Sequence, residues 1–497
     1  MMNRLKSLFA NPFNWFAFIL LAIILRGILW AYFGHLVHIH LSGDEVIENY
    51  FVKDDYLYFF HPVDNYFLNG HYAYLAGVPF TGRMPGYTIV YFLARLIFSQ
   101  QIALWAVILL QFLLSAISVY VLSLIAYNLF NSKRAFYITY ALYVLAVFPG
   151  FFDFFIIAES FSVSALIFSM YFLIKYFKVE PKQKYLILSG LFLAWTIFLR
   201  EYTGVLILVI PLVLAYNLFF VKKEALKKVI WHLILFCLPF GIFESAWVVR
   251  NYVITKKIIL LESSIDVAYG KLYSQSWQAL DNLVFTWGEN ASPFDKNSLG
   301  YYYRYPKAPS ITKFPERIFN GVKVYNADSL VKLRELYDTY FNSTDTNGQA
   351  KLDAYIANRC EVFKQDYISR NAFNYWVVKP IKDLKYFVIF SGTGYLPMPP
   401  FSACTFKEKL IKVIFCVLYY LILISGLLGL IRCCLTKSAG RFFSVLVMVI
   451  SFVITFSIIF YSEIQEPRYF VHVFALLFPF SAFLFDKMLP KGNKSNG

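Results

Sequence analysis

Long apolar runs separated by short polar breaks dominate the chain. Runs at residues 13–33, 102–130, 134–150, 156–177, 184–199, 203–221, 229–249, 410–431, 442–461 and 469–486 are each apolar almost throughout. A run of about 17 to 25 such residues crosses a hydrocarbon core about 30 Å thick as a helix. The pattern therefore predicts an all-α polytopic membrane protein with about ten transmembrane helices, eleven or twelve being the alternative count. Two stretches break the alternation: residues 34–101 after the first run, and residues 250–407 before the last three.

Composition agrees, at 59% hydrophobic and 15% charged residues with a mean hydropathy of +0.57, outside the range of soluble domains. The net charge of +16 invites a nucleic-acid reading, but its distribution excludes one. Basic residues gather in short breaks: Lys133-Arg134, then Lys175 to Lys184, then Lys222 to Lys228, and finally Arg432, Lys437 and Arg441. The alternate breaks at 148–155, 200–203 and 462–468 hold only Arg200 and Arg468. Lysine and arginine mark cytoplasmic loops, so the first set lies inside and the second outside. Residues 85–98 would upset this alternation as a span. They number 14 and carry Arg95, a length more typical of re-entrant or interfacial segments. Residues 34–101 thus read as one outer loop lying on the membrane. At the start, Met1 to Lys6 is basic and leads into a long apolar run with no small-residue cleavage site, which predicts a retained first span.

Residues 250–407 carry turn signals such as Thr346-Asn347-Gly348 and helix-like segments near 326–341 and 349–371. The stretch is too long for a loop and reads as a mixed, folded outer domain. Near its end, residues 375–392 place Lys379, Lys382 and Lys385 among apolar positions, as an interfacial amphipathic helix would. The domains are thus 1–249, containing the outer loop 34–101, then 250–407 and 408–497. Lys407, Lys409 and Lys412 then fall outside, against the general trend. Cys360 and Cys404 are the two cysteines in the outer domain, and a disulfide between them is open. Asn342-Ser343-Thr344 and Asn290-Ala291-Ser292 fit the glycosylation sequon, which matters only if the outer side is a secretory lumen.

With this topology Asp44, Glu45, Arg83, Asp153, Glu159, Arg200, Arg250, Glu463, Glu466 and Arg468 fall on or near the outer face. Charges beside spans are costly and face a cavity, a partner or water. Acids suit general-base work and arginines suit phosphate. A carboxylate pair at the water–lipid boundary suits a substrate with its tail in lipid and its head in water. His35, His38 and His40 with Asp44, or Asp54-Asp55, have metal-ligand residue types, although interfacial histidines and a solvated acidic face account for them better; a divalent metal is left open. No phosphate-binding glycine loop is present, which argues against a cytoplasmic nucleotide sugar.

These motifs resemble a known family. Asp44-Glu45 resembles the acidic motif of membrane glycosyltransferases of the GT-C fold, most of all protein O-mannosyltransferases and the aminoarabinose transferases of lipid A. Gly82-Arg83-Met84-Pro85-Gly86-Tyr87 is similar to the basic-then-proline motif that follows, with arginine where some relatives have lysine. Ala158-Glu159-Ser160 resembles the second acid, Leu199-Arg200-Glu201 a further arginine motif, and Trp247-Val248-Val249-Arg250-Asn251-Tyr252 the sequence before the large loop. Glu466-Pro467-Arg468-Tyr469 is similar to the motif at the last span. The likeness covers about residues 10–485, in order, but finds no match within the large loop.

The resemblance implies a polyprenyl-phosphate sugar donor and transfer to a lipid, glycan or protein acceptor on the outer face, with inversion at the anomeric carbon. It makes Asp44 the expected general base, with Glu45 beside it and Glu159 as a further catalytic acid. Arg83, Arg200 and Arg250 are expected at the donor phosphate, and Asp153, Glu466 and Arg468 around the site. The implied setting is a bacterial inner membrane with the site facing the periplasm, with membrane lipids as partners and no nucleic acid. A lipid-linked glycan polymerase or ligase would share this topology. A lipid-linked oligosaccharide transporter would show midplane charges and repeats, whereas Arg26 is the only basic residue well inside a span and no repeat is visible.

Overall fold

The structure of the chain, a computed structural model, describes residues 11–40, 55–75, 78–261, 267–268, 271–272, 275–291, 297–305, 314–343, 345–436, 440–462 and 466–489. In chain order the helices begin with α1 Trp15–His40, α2 Asp55–Asn69, α3 Thr88–Arg95, α4 Gln100–Phe130, α5 Lys133–Leu145 and α6 Val147–Phe151. There follow α7 Glu159–Ile174, α8 Gln183–Leu199, α9 Leu206–Tyr216, α10 Leu226–Thr255, α11 Gln275–Thr286 and α12 Leu299–Arg304. The last six are α13 Ala327–Asn342, α14 Thr346–Arg370, α15 Lys379–Ile389, α16 Phe406–Leu435, α17 Arg441–Phe456 and α18 Val471–Met488. Contacts divide the chain into two units, one of residues 1–262, 388–458 and 466–497, the other of 263–387 with 459–465.

The first unit is a bundle of apolar helices. Eight among the described residues are long and apolar enough to cross a membrane: Trp15–His40, Gln100–Phe130, Glu159–Val179, Glu201–Val221, Leu226–Thr255, Phe406–Leu435, Arg441–Phe460 and Pro467–Met488. The apolar α8, at 17 residues, is a shorter ninth. The expected span at 134–150 is not one helix. α5 stops at Leu145, Ala146 turns extended (ψ 114°), and α6 runs only five residues. Pro149 favours the break, because a proline fits the first turn of a new helix but inside a continuing one removes a hydrogen bond and crowds the preceding turn.

Helix faces show what the bundle meets. On α1, Phe16, Leu20, Ile24 and Ile28 recur every fourth residue and are exposed, while Phe18, Ala22 and Arg26 are buried. An exposed apolar stripe at helical spacing is lipid-facing surface. At the opposite extreme, α18 is buried nearly throughout and packs along α16. A Cβ on Gly429 of α16 would stand 2.1 Å from the Phe480 carbonyl oxygen, so only glycine allows this approach. Between α4 and α5 the chain reverses in two residues. Asn131 closes α4 in the left-handed conformation (φ 50°), and the Ser132 hydroxyl accepts from Ala135 N at 3.2 Å to open α5.

Residues 85–98 do not span. They hold α3, whose eight residues extend only about 12 Å. Arg95 is explained by Asp64 on α2, which accepts from Arg95 Nε (3.1 Å), the Tyr91 hydroxyl (2.9 Å) and Gln100 Nε2 (2.9 Å). One carboxylate therefore ties α2, α3 and the start of α4 together. Antiparallel β1 Ala73–Leu75 and β2 Val78–Pro79 close the loop between α2 and α3. At the start of α16, Thr405 and Glu408 form a capping box, and Lys412 donates to the Pro399 carbonyl at 2.6 Å.

The second unit is built on α11 to α14, with a short hairpin of β3 Val267–Ala268 and β4 Lys271–Leu272. Leu283, Tyr303, Tyr337, Ile356 and Phe363 form its core. Asp353 on α14 caps α11, accepting from Gln275 N (3.0 Å) and Ser276 N (3.1 Å). The expected segment 375–392 begins as a wide turn at Asn374–Val378 and continues as the amphipathic α15. All six cysteines are free thiols, so the Cys360–Cys404 disulfide does not form. Cys360 is sealed into the core beside Tyr337, while the Cys404 thiol donates to the Pro399 carbonyl.

Candidate active site

Four chain segments converge at one end of the apolar bundle. α7 opens on Glu159, and α8 closes just before Arg200. Residues Pro467–Phe470 form a 3₁₀ turn leading into α18. The fourth is the loop ahead of α3, residues 80–87. Arg200 is fixed at its backbone, since its N–H donates to the Thr196 carbonyl (3.0 Å) and its carbonyl accepts from the Thr203 hydroxyl (2.7 Å).

The inner layer is dry. Arg200 Nη2 lies 2.5 Å from Glu159 Oε2, and both side chains are completely buried. Arg468 Nε stands 3.5 Å from Glu159 Oε1 and also pairs with Glu466, which reaches solvent. The Tyr469 ring lies beneath both guanidinium groups, its centroid 5.8 Å from Arg200 and 5.4 Å from Arg468. Below, His472 joins the Tyr202 hydroxyl and Ser162, each at 2.7 Å. Glu159 stands at the first residue of α7, where the helix dipole favours an anion.

The outer layer is partly wet. Arg83 Nη1 meets Glu201 Oε1 at 3.2 Å, each side chain about one-fifth exposed (22%). Gly86 sets this geometry. Its N–H donates to the Phe198 carbonyl (3.0 Å), and its own carbonyl accepts from Trp195 Nε1 (3.2 Å). A Cβ there would stand 2.3 Å from the Phe198 carbonyl, so any other residue would push the loop off α8. Arg250 holds the other end of the loop, donating to the Phe80 carbonyl (2.7 Å) and to Asn251 Oδ1 (2.8 Å) while lying over Trp247 and Tyr72. Tyr87 donates to Gln111 Oε1 (3.0 Å), and Gln111 donates to the Phe152 and Phe155 carbonyls. Burial pushes the Tyr87 phenol well above its ordinary pKa; the Glu159 carboxylate adds to the rise and Arg200 opposes it. Tyr87 thus stays a neutral donor.

Of the residues singled out in the sequence, Arg83, Glu159, Arg200, Glu466 and Arg468 come together here, with Arg250 bracing the loop. Asp153 is engaged elsewhere: it pairs with Arg26 and accepts from Ser115 (2.8 Å) and Ser160 (2.6 Å), fully buried. Asp44, Glu45, Asp54 and Glu463 lie outside the described residues. Among the described residues no group of three histidine, cysteine or acidic side chains could hold a metal ion, and His40 is paired with Glu408. Glu201 and Tyr469, quoted within motifs but given no role there, join the site, and so do His472 and Gln111. The last two carried a signal in the sequence, as polar residues within apolar runs, which membrane spans hold for a reason.

Residues 84–247 match the profile of the family described as dolichyl-phosphate-mannose-protein mannosyltransferase. This segment runs from Met84 beside Arg83 through Glu159 and Arg200 to Trp247, the part of the chain that builds most of the site. No curated protein matches the chain. A solved structure, that of ArnT from Cupriavidus metallidurans in the apo state, aligns over 93% of this chain and 77% of that chain, at 12% identity and a TM-score of 0.33. That overlap is too loose to carry weight. The family match over residues 84–247 and the apolar bundle support a membrane glycosyltransferase of the GT-C type.

Proposed function

We propose that the chain transfers a sugar from a polyprenyl-phosphate donor to a lipid, glycan or protein acceptor on the outer face of a bacterial inner membrane. The observation that carries this reading is the layered arginine–carboxylate cluster, whose Glu159, Arg200 and Glu201 lie within the family-matched segment and which opens to solvent at Arg83, Glu201, Arg468 and Glu466.

In the reaction, an acceptor hydroxyl attacks the anomeric carbon as its proton passes to Asp44, with Glu45 orienting that carboxylate. The bond from the anomeric carbon to the phosphate oxygen breaks, and the polyprenyl phosphate leaves with its electron pair. The leaving group gains charge without needing a proton, so fixed cations stabilise the transition state more than the ground state. Arg83 meets the phosphate directly by exchanging Glu201 for it; its planar fork suits that oxyanion. Arg200 is too deeply held by Glu159 to leave, and it adds positive potential from behind. Arg250 keeps the Arg83 loop in place.

The test is purified protein in nanodiscs with a radiolabelled polyprenyl-phosphate sugar, paired with mass spectrometry of envelope lipids, glycans and secreted proteins from cells with and without the gene. Asp44→Asn is expected to abolish transfer while donor binding persists. Activity within a few-fold of wild type would remove Asp44 as the base. Growth of glycan chains from lipid-linked oligosaccharide alone would instead favour a polymerase or ligase.

A further inference from the structure

The second unit contains a cavity of about 370 Å³, within the range of small-ligand sites. Its polar lining includes Arg317, Asn320, Asn374, Lys382, Asp383 and Tyr386. The groups differ in what they offer. Lys382 is exposed, with no ion-pair partner among the described residues. Arg317 projects into solvent and is balanced by Glu289, which is not part of the lining. Asp383 is held by Lys379 at 3.1 Å, one turn earlier on α15, so the pair adds no net charge. The wall therefore keeps a cationic excess beside a fixed carboxylate, two side-chain amides and the exposed ring of Tyr386.

We propose that this cavity binds a sugar ring carrying an anionic group, a phosphate or a carboxylate. Lys382 and Arg317 take the anion. Asp383, Asn320 and Asn374 accept from or donate to the ring hydroxyls, and Tyr386 covers one apolar face of the ring. A bare phosphate site would not place a carboxylate in its wall, and a neutral sugar site would not need the unbalanced charge of Lys382 beside Arg317. The remaining face of the same segment exposes Phe373, Trp376, Ile381 and Leu384. That is the make-up of an interfacial helix, which admits a lipid headgroup as readily as a free glycan. Service as the acceptor subsite rests on the transferase reading above; binding does not.

The experiment is titration of the full chain, in phosphatidylcholine nanodiscs, with glucose 1-phosphate, glucose and inorganic phosphate. Glucose 1-phosphate is expected to bind, and Lys382→Ala and Tyr386→Ala are each expected to weaken it tenfold or more. Asp383→Asn is expected to weaken glucose 1-phosphate while strengthening inorganic phosphate, because it replaces a carboxylate acceptor for ring hydroxyls by a weaker amide one and leaves Lys379 without its counter-charge. No binding by wild type, or equal affinity in Lys382→Ala, overturns the site. Equal binding of glucose 1-phosphate and inorganic phosphate in wild type overturns the sugar component. Adding phosphatidylinositol 4-phosphate to the nanodiscs separates the sources. Displacement of glucose 1-phosphate in wild type assigns the site to lipid headgroups, and lack of displacement assigns it to free glycans. The acceptor role is read separately: Lys382→Ala raises the acceptor KM and leaves the donor KM unchanged. A binding defect with unchanged acceptor KM keeps the site but overturns that role.

Discussion

Glu159 and Arg200 form an ion pair in which neither side chain touches solvent, at 2.5 Å between Oε2 and Nη2. Burying two charges is costly, and removing one partner strands the other at about 3–5 kcal/mol. Glu159→Gln is therefore expected to lower the Tm clearly and to lose most of the activity. Glu159→Gln combined with Arg200→Gln should regain much of the stability but none of the activity. Thermal unfolding and turnover per folded molecule, measured on the same samples, check this. Restored turnover in the double variant would make the pair a structural brace.

Asp153 offers the contrast. Its carboxylate is fully occupied by Arg26, Ser115 and Ser160, which join α1, α4 and α7. Asp153→Asn should cost about 3–5 kcal/mol for the stranded Arg26 and reduce the yield of folded protein. Turnover per folded molecule should stay within about twofold, a difference under 0.5 kcal/mol in barrier. Size-exclusion yield with normalised kinetics separates the two effects, and a large loss of normalised turnover would return Asp153 to the reacting centre.

Most of the bundle was legible because apolar runs of membrane length have few other uses, and the positive-inside bias fixed which ends share a face. Arg95 could be read as keeping residues 85–98 out of the membrane, but its partner Asp64 lies 31 residues away and leaves no local signal. The break at Ala146 was hidden because residues 140–151 are apolar almost without interruption, and only the chain's turn at Ala146 shows that Pro149 sits in the first turn of a new helix. At the site, residue types and order were readable while depth was not. Arg200 and Arg83 look alike in sequence, yet one is sealed and the other half-wet. Arg250 likewise spends its guanidinium on a backbone carbonyl, a partner that no side-chain pattern announces.

Cys360 should be silent to thiol reagents. Burial in the second unit's core pushes its thiol up to about 12, with the neighbouring Tyr337 hydrogen bond opposing the rise. The reactive thiolate is then scarce at pH 8 as well as inaccessible. Maleimide labelling followed by mass spectrometry is expected to leave Cys360 unmodified in the native protein and to modify it in denaturant without any reductant. A requirement for reductant would mean that it is oxidised and not free.

Arg83 and Glu201 are poised to exchange partners. At 3.2 Å and partly exposed, their ion pair is worth about 0–1 kcal/mol, which a donor phosphate can displace. Gly86 and Arg250 hold the loop independently of this pair. Arg83→Ala should therefore leave the Tm within a degree or two, a shift consistent with under about 1 kcal/mol. It should weaken donor binding and slow turnover by about 10²-fold, the scale of one lost oxyanion donor. Arg83→Lys should retain part of the activity, because the charge survives while the two-pronged geometry is lost. Glu201→Gln should keep turnover within a few-fold, since Glu201 only occupies the guanidinium until donor arrives. If Arg83 instead anchors the loop to anionic headgroups, Arg83→Ala lowers the folded yield and leaves normalised kinetics alone. Kinetics of the purified variants, normalised to folded protein, decide it: unchanged turnover and donor affinity in Arg83→Ala would defeat the phosphate role.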